Sequence, residues 1–346
     1  MYWSGIGSRR PLHLLTRPMT FPGAALLAAA GGGDASQVHA LLHQGADPGH
    51  QGQGGQTPLM AAAAAGDAES VAALLSAGAP WHELDEDGCC AGEYASGSGH
   101  VEVVRQLLDW AVRAELVLGA ASRRASAAPA PGPQGYLQER ATYRDGQLVD
   151  AEGEAVMMTW EAPLMREHAR ILCAAKGRAA RVLNVGFGLG IIDGYIAELA
   201  PARHTIVEAH PDVLAHMAAR GWTHRPGVSV VPGRWQDVIA DLGPFDGVFF
   251  DTYGEYAEDM REFHAHLPRL LSPGGVYSFF NGLCPDNIFF NMVQGEVVKL
   301  ELARLGLETQ YRAMPMDTSD GSIWKGIRNR YWHLPVYMVP TCTLKA

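Results

Sequence analysis

The sequence predicts an open, doubly wound α/β sheet in the C-terminal two-thirds of the chain, preceded by an all-α domain built from repeats. Three observations predict it. A dipeptide returns every 33 residues near the N-terminus, as Gly33-Asp34, Gly66-Asp67 and Gly99-His100. Beyond Arg178, short apolar runs of strand length alternate with helical stretches. The first of those runs enters the turn Gly186-Phe187-Gly188-Leu189-Gly190, and the second ends in Glu208, 20 residues past Gly188.

Length and composition set the bounds. A chain of 346 residues is long enough for two domains, each with its own core. No apolar run reaches the ~20 residues that a membrane helix needs, so no membrane association is expected. The formal net charge of -10 argues against nucleic acid as a partner, because phosphate contacts need a basic surface. An acidic chain suits a cationic substrate better. Cys89, Cys90, Cys173, Cys284 and Cys342 are odd in number and form no CxxC pair. That fits a reducing compartment, cytoplasmic or also nuclear, and gives no zinc signature, so no metal is expected. Residues 1–22 read as an N-terminal extension, whose Arg9, Arg10 and Arg17 stand without acids before Met19.

The repeat domain is expected over 23–118. After each Gly-Asp or Gly-His step comes a valine (Val38, Val71, Val104) and then a leucine pair (Leu41-Leu42, Leu74-Leu75, Leu107-Leu108). Gly45-Ala46-Asp47-Pro48 and Gly78-Ala79-Pro80 close the first two units, with glycine able to cap a helix and proline barring its continuation. Thr57-Pro58-Leu59-Met60-Ala61-Ala62 supplies a turn and the start of an inner helix. This resembles the ankyrin repeat, whose signature is T-P-L-H-x-A, with Met60 in place of the histidine. Residues 119–135, rich in alanine, proline and serine, read as an interdomain linker.

The α/β domain is expected over 136–346. Asp145-Gly146 between apolar–polar stretches predicts a hairpin. Strands are expected at Arg181–Val185, His204–Glu208, Val228–Pro232, Gly247–Asp251, Gly275–Phe280 and Tyr331–Val339. His264 and His266 stand two apart in a helical stretch without a third ligand, and Glu255, Glu258 and Glu262 read as a solvated helix face. Sheets of this kind bind ligands at the carboxyl ends of their strands.

The glycine turn lets the backbone approach a ligand where a Cβ would block it. A carboxylate at Glu208 can accept hydrogen bonds from ribose hydroxyls. A dinucleotide fingerprint would be G-x-G-x-x-G, whereas Gly190 falls one residue early, and no GxxxxGK[ST] phosphate loop is present. With Leu270-Leu271-Ser272-Pro273-Gly274-Gly275 leading into a later strand, the pattern resembles the class I S-adenosylmethionine-dependent methyltransferases.

Two further segments narrow the class. Met157-Met158-Thr159-Trp160-Glu161-Ala162-Pro163-Leu164-Met165 precedes the first strand, and Asp251-Thr252-Tyr253 follows the fourth. At these residues the chain resembles guanidinoacetate methyltransferase, which has M-x-x-W-E-T-P-x-M, V-G-F-G-M and D-T-Y. It is still more similar to the fungal type IV protein-arginine methyltransferases, with their N-terminal repeats, V-M-M-x-W-E, V-G-F-G-L-G-I-I-D and V-E-A-H-P. That likeness extends to Arg330-Tyr331-Trp332, Tyr337 and Pro340.

The resemblance implies methyl transfer to the internal (δ) nitrogen of an arginine in a protein substrate, with the ankyrin units docking that protein. It implies S-adenosylmethionine packed by Met157 and Met165, with Tyr143 a further candidate. Asn184, Val185, Gly186, Phe187, Gly188 and Leu189 would wrap its methionine part, Glu208, Ala209 and His210 its ribose, and Trp235 and Gln236 its adenine. Glu161 and Asp251 would hold the guanidinium group.

The chemistry independently asks for two such acids. A guanidinium is a delocalised cation with no free lone pair, so one nitrogen must localise its electrons before it attacks. One carboxylate can fix the planar fork and a second can polarise or take a proton. Asp251, at a strand end beside the cofactor, is expected as the base and Glu161 as the clamp. Two alternatives stay open: a small-molecule guanidino methyltransferase, and an ankyrin scaffold without catalysis. Leu283-Cys284 stands where guanidinoacetate methyltransferase grips a carboxylate, and the double-glutamate loop of ω-methylating enzymes is replaced by Asp251-Thr252-Tyr253.

Overall fold

A computed structural model describes residues 22–125, 135–255 and 257–345. Most of the expected extension (1–22) and the 126–134 stretch of the expected linker lie outside the described residues. Contacts divide the chain into two units, one ending at Ala111 and the other beginning at Val112.

The first unit is helical: α1 (Pro22–Gly31), α2 (Ala35–His43), α3 (Pro58–Ala65), α4 (Ala68–Ser76), α5 (Ala91–Gly97) and the start of α6 (Val101–Ala125). Helices α1, α3 and α5 stack in one row, and α2 packs on α4. The 33-residue dipeptide has a physical cause. Gly33, Gly66 and Gly99 take positive φ after one helix, and Asp34 and Asp67 then cap the next by accepting from Gln37 N and Ser70 N. Thr57 Oγ1 accepts from Met60 N at 3.2 Å while Thr57 N–H reaches the Met60 sulfur at 3.4 Å, which closes the turn at the substituted signature position. Residues 119–125, expected as linker, continue α6 instead. Their composition favours this: Gly119 is followed mainly by alanines and arginines, which are good helix formers, and the prolines begin only at Pro129.

The second unit opens with a small antiparallel sheet, β1 (Thr142–Arg144), β2 (Gln147–Val149) and β3 (Ala155–Met158). Asp145 and Gly146 both have positive φ, and Arg144 pairs with Gln147 across them, the two-residue hairpin expected of Asp-Gly. Then follow α7 (Ala162–Ala174), β4 (Arg181–Val185), α8 (Ile191–Leu199), β5 (Arg203–Glu208), α9 (Pro211–Ala219), β6 (Val228–Pro232), α10 (Trp235–Val238), β7 (Phe245–Phe250), α11 (Ala257–His264), α12 (Leu267–Leu270), β8 (Leu271–Phe279), α13 (Ile288–Arg304), β9 (Leu307–Pro315) and β10 (Val336–Leu344).

Among the described residues the large sheet has the order β6-β5-β4-β7-β8-β10-β9. It is parallel from β6 to β8, and β10 runs antiparallel to both β8 and β9. The order reverses between β4 and β7, so the loops leaving those strands part and open a crevice. Val182, Leu183, Val248 and Phe249 of the two strands are fully buried in the core. The last expected strand is displaced: Tyr331–Pro335 is loop, and β10 starts at Val336 and runs to Leu344. Strand β9 was not expected at all. It sits at the sheet edge with exposed alternate residues, so its apolar pattern is diluted. Among the described residues no helix is long and apolar enough to cross a membrane.

Candidate active site

The crevice at the β4/β7 reversal holds a cleft partly open to solvent. Val185 ends β4 in its wall, and Gly186 follows with φ +92. A Cβ on Gly186 would lie 1.8 Å from the main-chain oxygen of Asp251, so glycine is the one residue that lets the two loops meet. The Asp251 N–H donates to Val185 O at 3.0 Å and ties the end of β7 to the same place. Gly188 also lines the cleft, whereas the Phe187 ring turns away into the core against Trp222. Asn184 is buried beneath the turn, and its Nδ2 donates to Gly186 O and to the Asp193 carboxylate.

Glu208 ends β5 in the cleft wall. Its Oε2 accepts from Phe187 N at 2.8 Å and its Oε1 from Ala209 N and His210 N, both at 2.7 Å. Burial pushes its pKa up while these three donors pull it down. A carboxylate offers about four lone-pair directions, so three bonds leave it able to accept another. Ala209 lines the cleft; His210 lies behind it, with Nε2 on Tyr136 O at 3.1 Å.

Trp235 and Gln236 form the far wall, and both donate to Glu255: Trp235 Nε1 at 2.9 Å and Gln236 Nε2 at 2.9 Å. Thr252 Oγ1 completes the group at 2.7 Å. Glu255 was expected on a solvated helix face. It instead precedes α11 and anchors the cleft, because its carboxylate meets three donors that would otherwise be buried without an acceptor. Gln236 Oε1 itself is buried and has no partner.

Met157 lines the cleft, with its sulfur 3.3 Å from Leu189 N. Met165 does not; it is fully buried among Ala169, Leu172 and Ile192. Tyr143 lies outside the cleft as well, joined to it by an Oη–Gly188 O hydrogen bond of 2.9 Å. Two aromatic residues not expected as cofactor contacts stand in the wall: Tyr136, and Tyr253 of the Asp251-Thr252-Tyr253 motif. Tyr136 packs on His210 and Tyr253, and Tyr253 Oη donates to Asp150 at 2.8 Å. No local signal marks Tyr136, since it follows the proline-rich stretch and belongs to no strand or long helix. His264 is a buried core residue bonded to Tyr277 Oη at 3.0 Å.

Asp251 lines the cleft, and also a neighbouring cavity with Phe280 and Leu283. Glu161 is 3% exposed and lies off the cleft, in the single turn Thr159–Glu161 ahead of α7. Its Oε1 accepts from Met158 N at 2.8 Å and from Tyr331 Oη at 2.5 Å. Burial, and then the Asp251 charge, raise Glu161 to about 8. Burial raises Asp251 to about 7. Among the described residues no Lys, Arg or His forms an ion pair with either acid. Two acids with raised pKa thus stand here, Asp251 in the cleft wall and Glu161 off it, with no ion-paired cation among the described residues.

Comparison with known proteins gives this site its context. The guanidinoacetate N-methyltransferase family matches residues 135–310, and ankyrin repeats in three copies match 26–116. Protein arginine N-methyltransferase 2 of Aspergillus oryzae is 33% identical over 310 residues, 76% of this chain and 74% of that protein. The chain belongs to the protein arginine N-methyltransferase 2 family. The relative of that name from Yarrowia lipolytica is 40% identical over 221 residues, 60% of this chain and 46% of that protein. The Saccharomyces cerevisiae relative is 35% identical over 224 residues, 62% of this chain and 54% of that protein. The chain therefore spans about half the length of several relatives it matches. In this member of the protein arginine N-methyltransferase 2 family the cleft, Glu161 and Asp251 all fall within the part that the guanidinoacetate N-methyltransferase family covers.

Proposed function

We propose that this chain transfers a methyl group from S-adenosylmethionine to the internal (δ) guanidino nitrogen of an arginine in a protein, with the ankyrin units docking that protein. The observation that carries the reading is a pair of acids with raised pKa and no ion-paired cation among the described residues, Asp251 in the cleft wall and Glu161 buried off the cleft.

The cleft fits the donor. The orphaned Gln236 Oε1 asks for a donor such as the amino group of an adenine, and Glu208 retains a lone-pair direction for a ribose hydroxyl. S-adenosylmethionine supplies an electrophilic methyl group on a sulfonium sulfur.

The protein's own residues do the rest. Glu161 Oε1 is held by Met158 N and Tyr331 Oη, which fixes the carboxylate and leaves Oε2 to accept from a guanidinium N–H. Asp251 accepts from another and takes the proton that the attacking nitrogen sheds. Arrival of a guanidinium lowers both raised pKa values, so substrate binding itself ionises the pair. Holding the acceptor nitrogen in line supplies much of the acceleration.

The guanidinoacetate N-methyltransferase match favours a second reading, a small guanidino acceptor. The cavity shared by Asp251 and Leu283 includes Glu255 and, among the described residues, has no cationic residue in its wall, which leaves a small acceptor's carboxylate unmatched and favours an arginine within a polypeptide. Incubation with labelled donor, an arginine-bearing protein and guanidinoacetate separates the two. Fragmentation of the product that distinguishes δ from ω methylation tests the nitrogen. Asp251→Asn is expected to abolish turnover with cofactor affinity nearly unchanged; retained turnover would remove Asp251 from the mechanism.

A further inference from the structure

Alternate residues of the glycine turn face two cavities. Gly186 and Gly188 line the cleft described above, whereas Phe187, Leu189 and Gly190 line a second one of about 470 Å³. The remaining wall comes from the β1–β2 hairpin and from the end of α9 with the loop after it.

The charge of that wall is out of keeping with the chain. The protein carries 37 acidic and 27 basic residues, yet Arg144, Arg220, Arg225 and His216 converge here against a single acid, Asp145. Among the described residues none of the three arginines forms an ion pair. Arg144 donates to Gly326 O, and neither Arg220 nor Arg225 meets a side-chain acceptor among the described residues. The Arg225 guanidinium lies over the Trp222 ring at 3.6 Å. Stacking occupies its face and orients its plane, but leaves the N–H edge free to donate. His216 is stacked on Tyr143 at 3.8 Å, and burial and then Arg220 lower its pKa, so the imidazole adds a neutral polar edge rather than a further repulsive charge.

Guanidiniums gathered around a concavity without an ion-paired carboxylate repel one another, an arrangement that an anion relieves. The Arg225 fork, oriented by the Trp222 ring, and the neighbouring guanidiniums suit phosphate oxygens. We infer that this cavity is a second ligand site, which takes a small phosphate-bearing anion through Arg144, Arg220 and Arg225. It is separate from the methyl-transfer cleft, and neither Arg220 nor Arg225 belongs to that machinery.

Isothermal titration of the full chain with inorganic tripolyphosphate at low salt tests this. Saturable one-to-one binding is expected, unchanged when S-adenosylhomocysteine is present. The double variant Arg220→Gln/Arg225→Gln should weaken it by about tenfold or more, since each charge-assisted hydrogen bond contributes ~1.5–3 kcal/mol. The single variant Arg220→Glu should do likewise with an unchanged melting curve. ATP in place of tripolyphosphate identifies the source: tighter binding points to an organic phosphate ester, equal binding to free polyphosphate. Absence of saturable binding, equal affinity in both variants, or competition with S-adenosylhomocysteine would overturn the assignment.

Discussion

Tyr331 Oη donates to Glu161 Oε1 across 2.5 Å, linking the loop before β10 to the single turn before α7. The two residues are 170 positions apart in the chain. Tyr331 therefore sets which oxygen of Glu161 is left for substrate. Tyr331→Phe keeps the ring packed on Trp160 and Trp324 but removes the donor. A hydrogen bond to a charged group contributes ~1.5–3 kcal/mol, so kcat/KM should fall about 10–100-fold with cofactor affinity intact. Steady-state kinetics beside cofactor titration checks this, and wild-type kcat/KM would free Glu161 from Tyr331.

Glu161 also makes a prediction for the protein without substrate. Its folded pKa of about 8 exceeds the unfolded value of ~4.3, so between those limits the folded state holds a proton that the unfolded state releases. Stability attributable to this group then falls as pH rises through the window, and the cost is complete above about pH 8. Glu161→Gln removes the cost while its amide oxygen can still accept from Met158 N. The variant should melt a few degrees above the wild type at alkaline pH and together with it at acid pH. Melting curves across pH decide, and coincident curves at high pH would show that the acid is not strained.

Glu255 gathers Trp235 Nε1, Gln236 Nε2 and Thr252 Oγ1. Glu255→Ala leaves those donors unpaired and frees the cleft wall. Cofactor affinity is expected to drop about 10–100-fold, in line with ~1–3 kcal/mol for orphaned buried groups, with a smaller change in kcat at saturation. Calorimetry of cofactor binding measures it.

The two cleft glycines should differ in tolerance. A Cβ at Gly186 meets the Asp251 main-chain oxygen at 1.8 Å, whereas one at Gly188 meets the flexible Met157 sulfur at 2.8 Å. Gly186→Ala is expected to lose cofactor binding and lower the melting temperature, and Gly188→Ala to do both more mildly. The reverse ranking would mean that the loops, not the side chains, give way.

The features legible in the chain before folding are local ones. The 33-residue repeat was legible because a positive-φ glycine followed by a capping aspartate is a two-residue device. The Asp145-Gly146 hairpin, the turn after β4 and the acid ending β5 were legible for the same reason, since turn chemistry and strand period act over a few residues. Long-range packing settled the rest. It placed Glu255 under Trp235, brought Tyr136 into the cleft wall, sent Met165 into the core and set Tyr331 on Glu161. It also added β9 at the sheet edge and shifted the last strand to Val336–Leu344. Contacts between residues so far apart depend on how the sheet stacks its strands, and no local period or turn residue encodes that order.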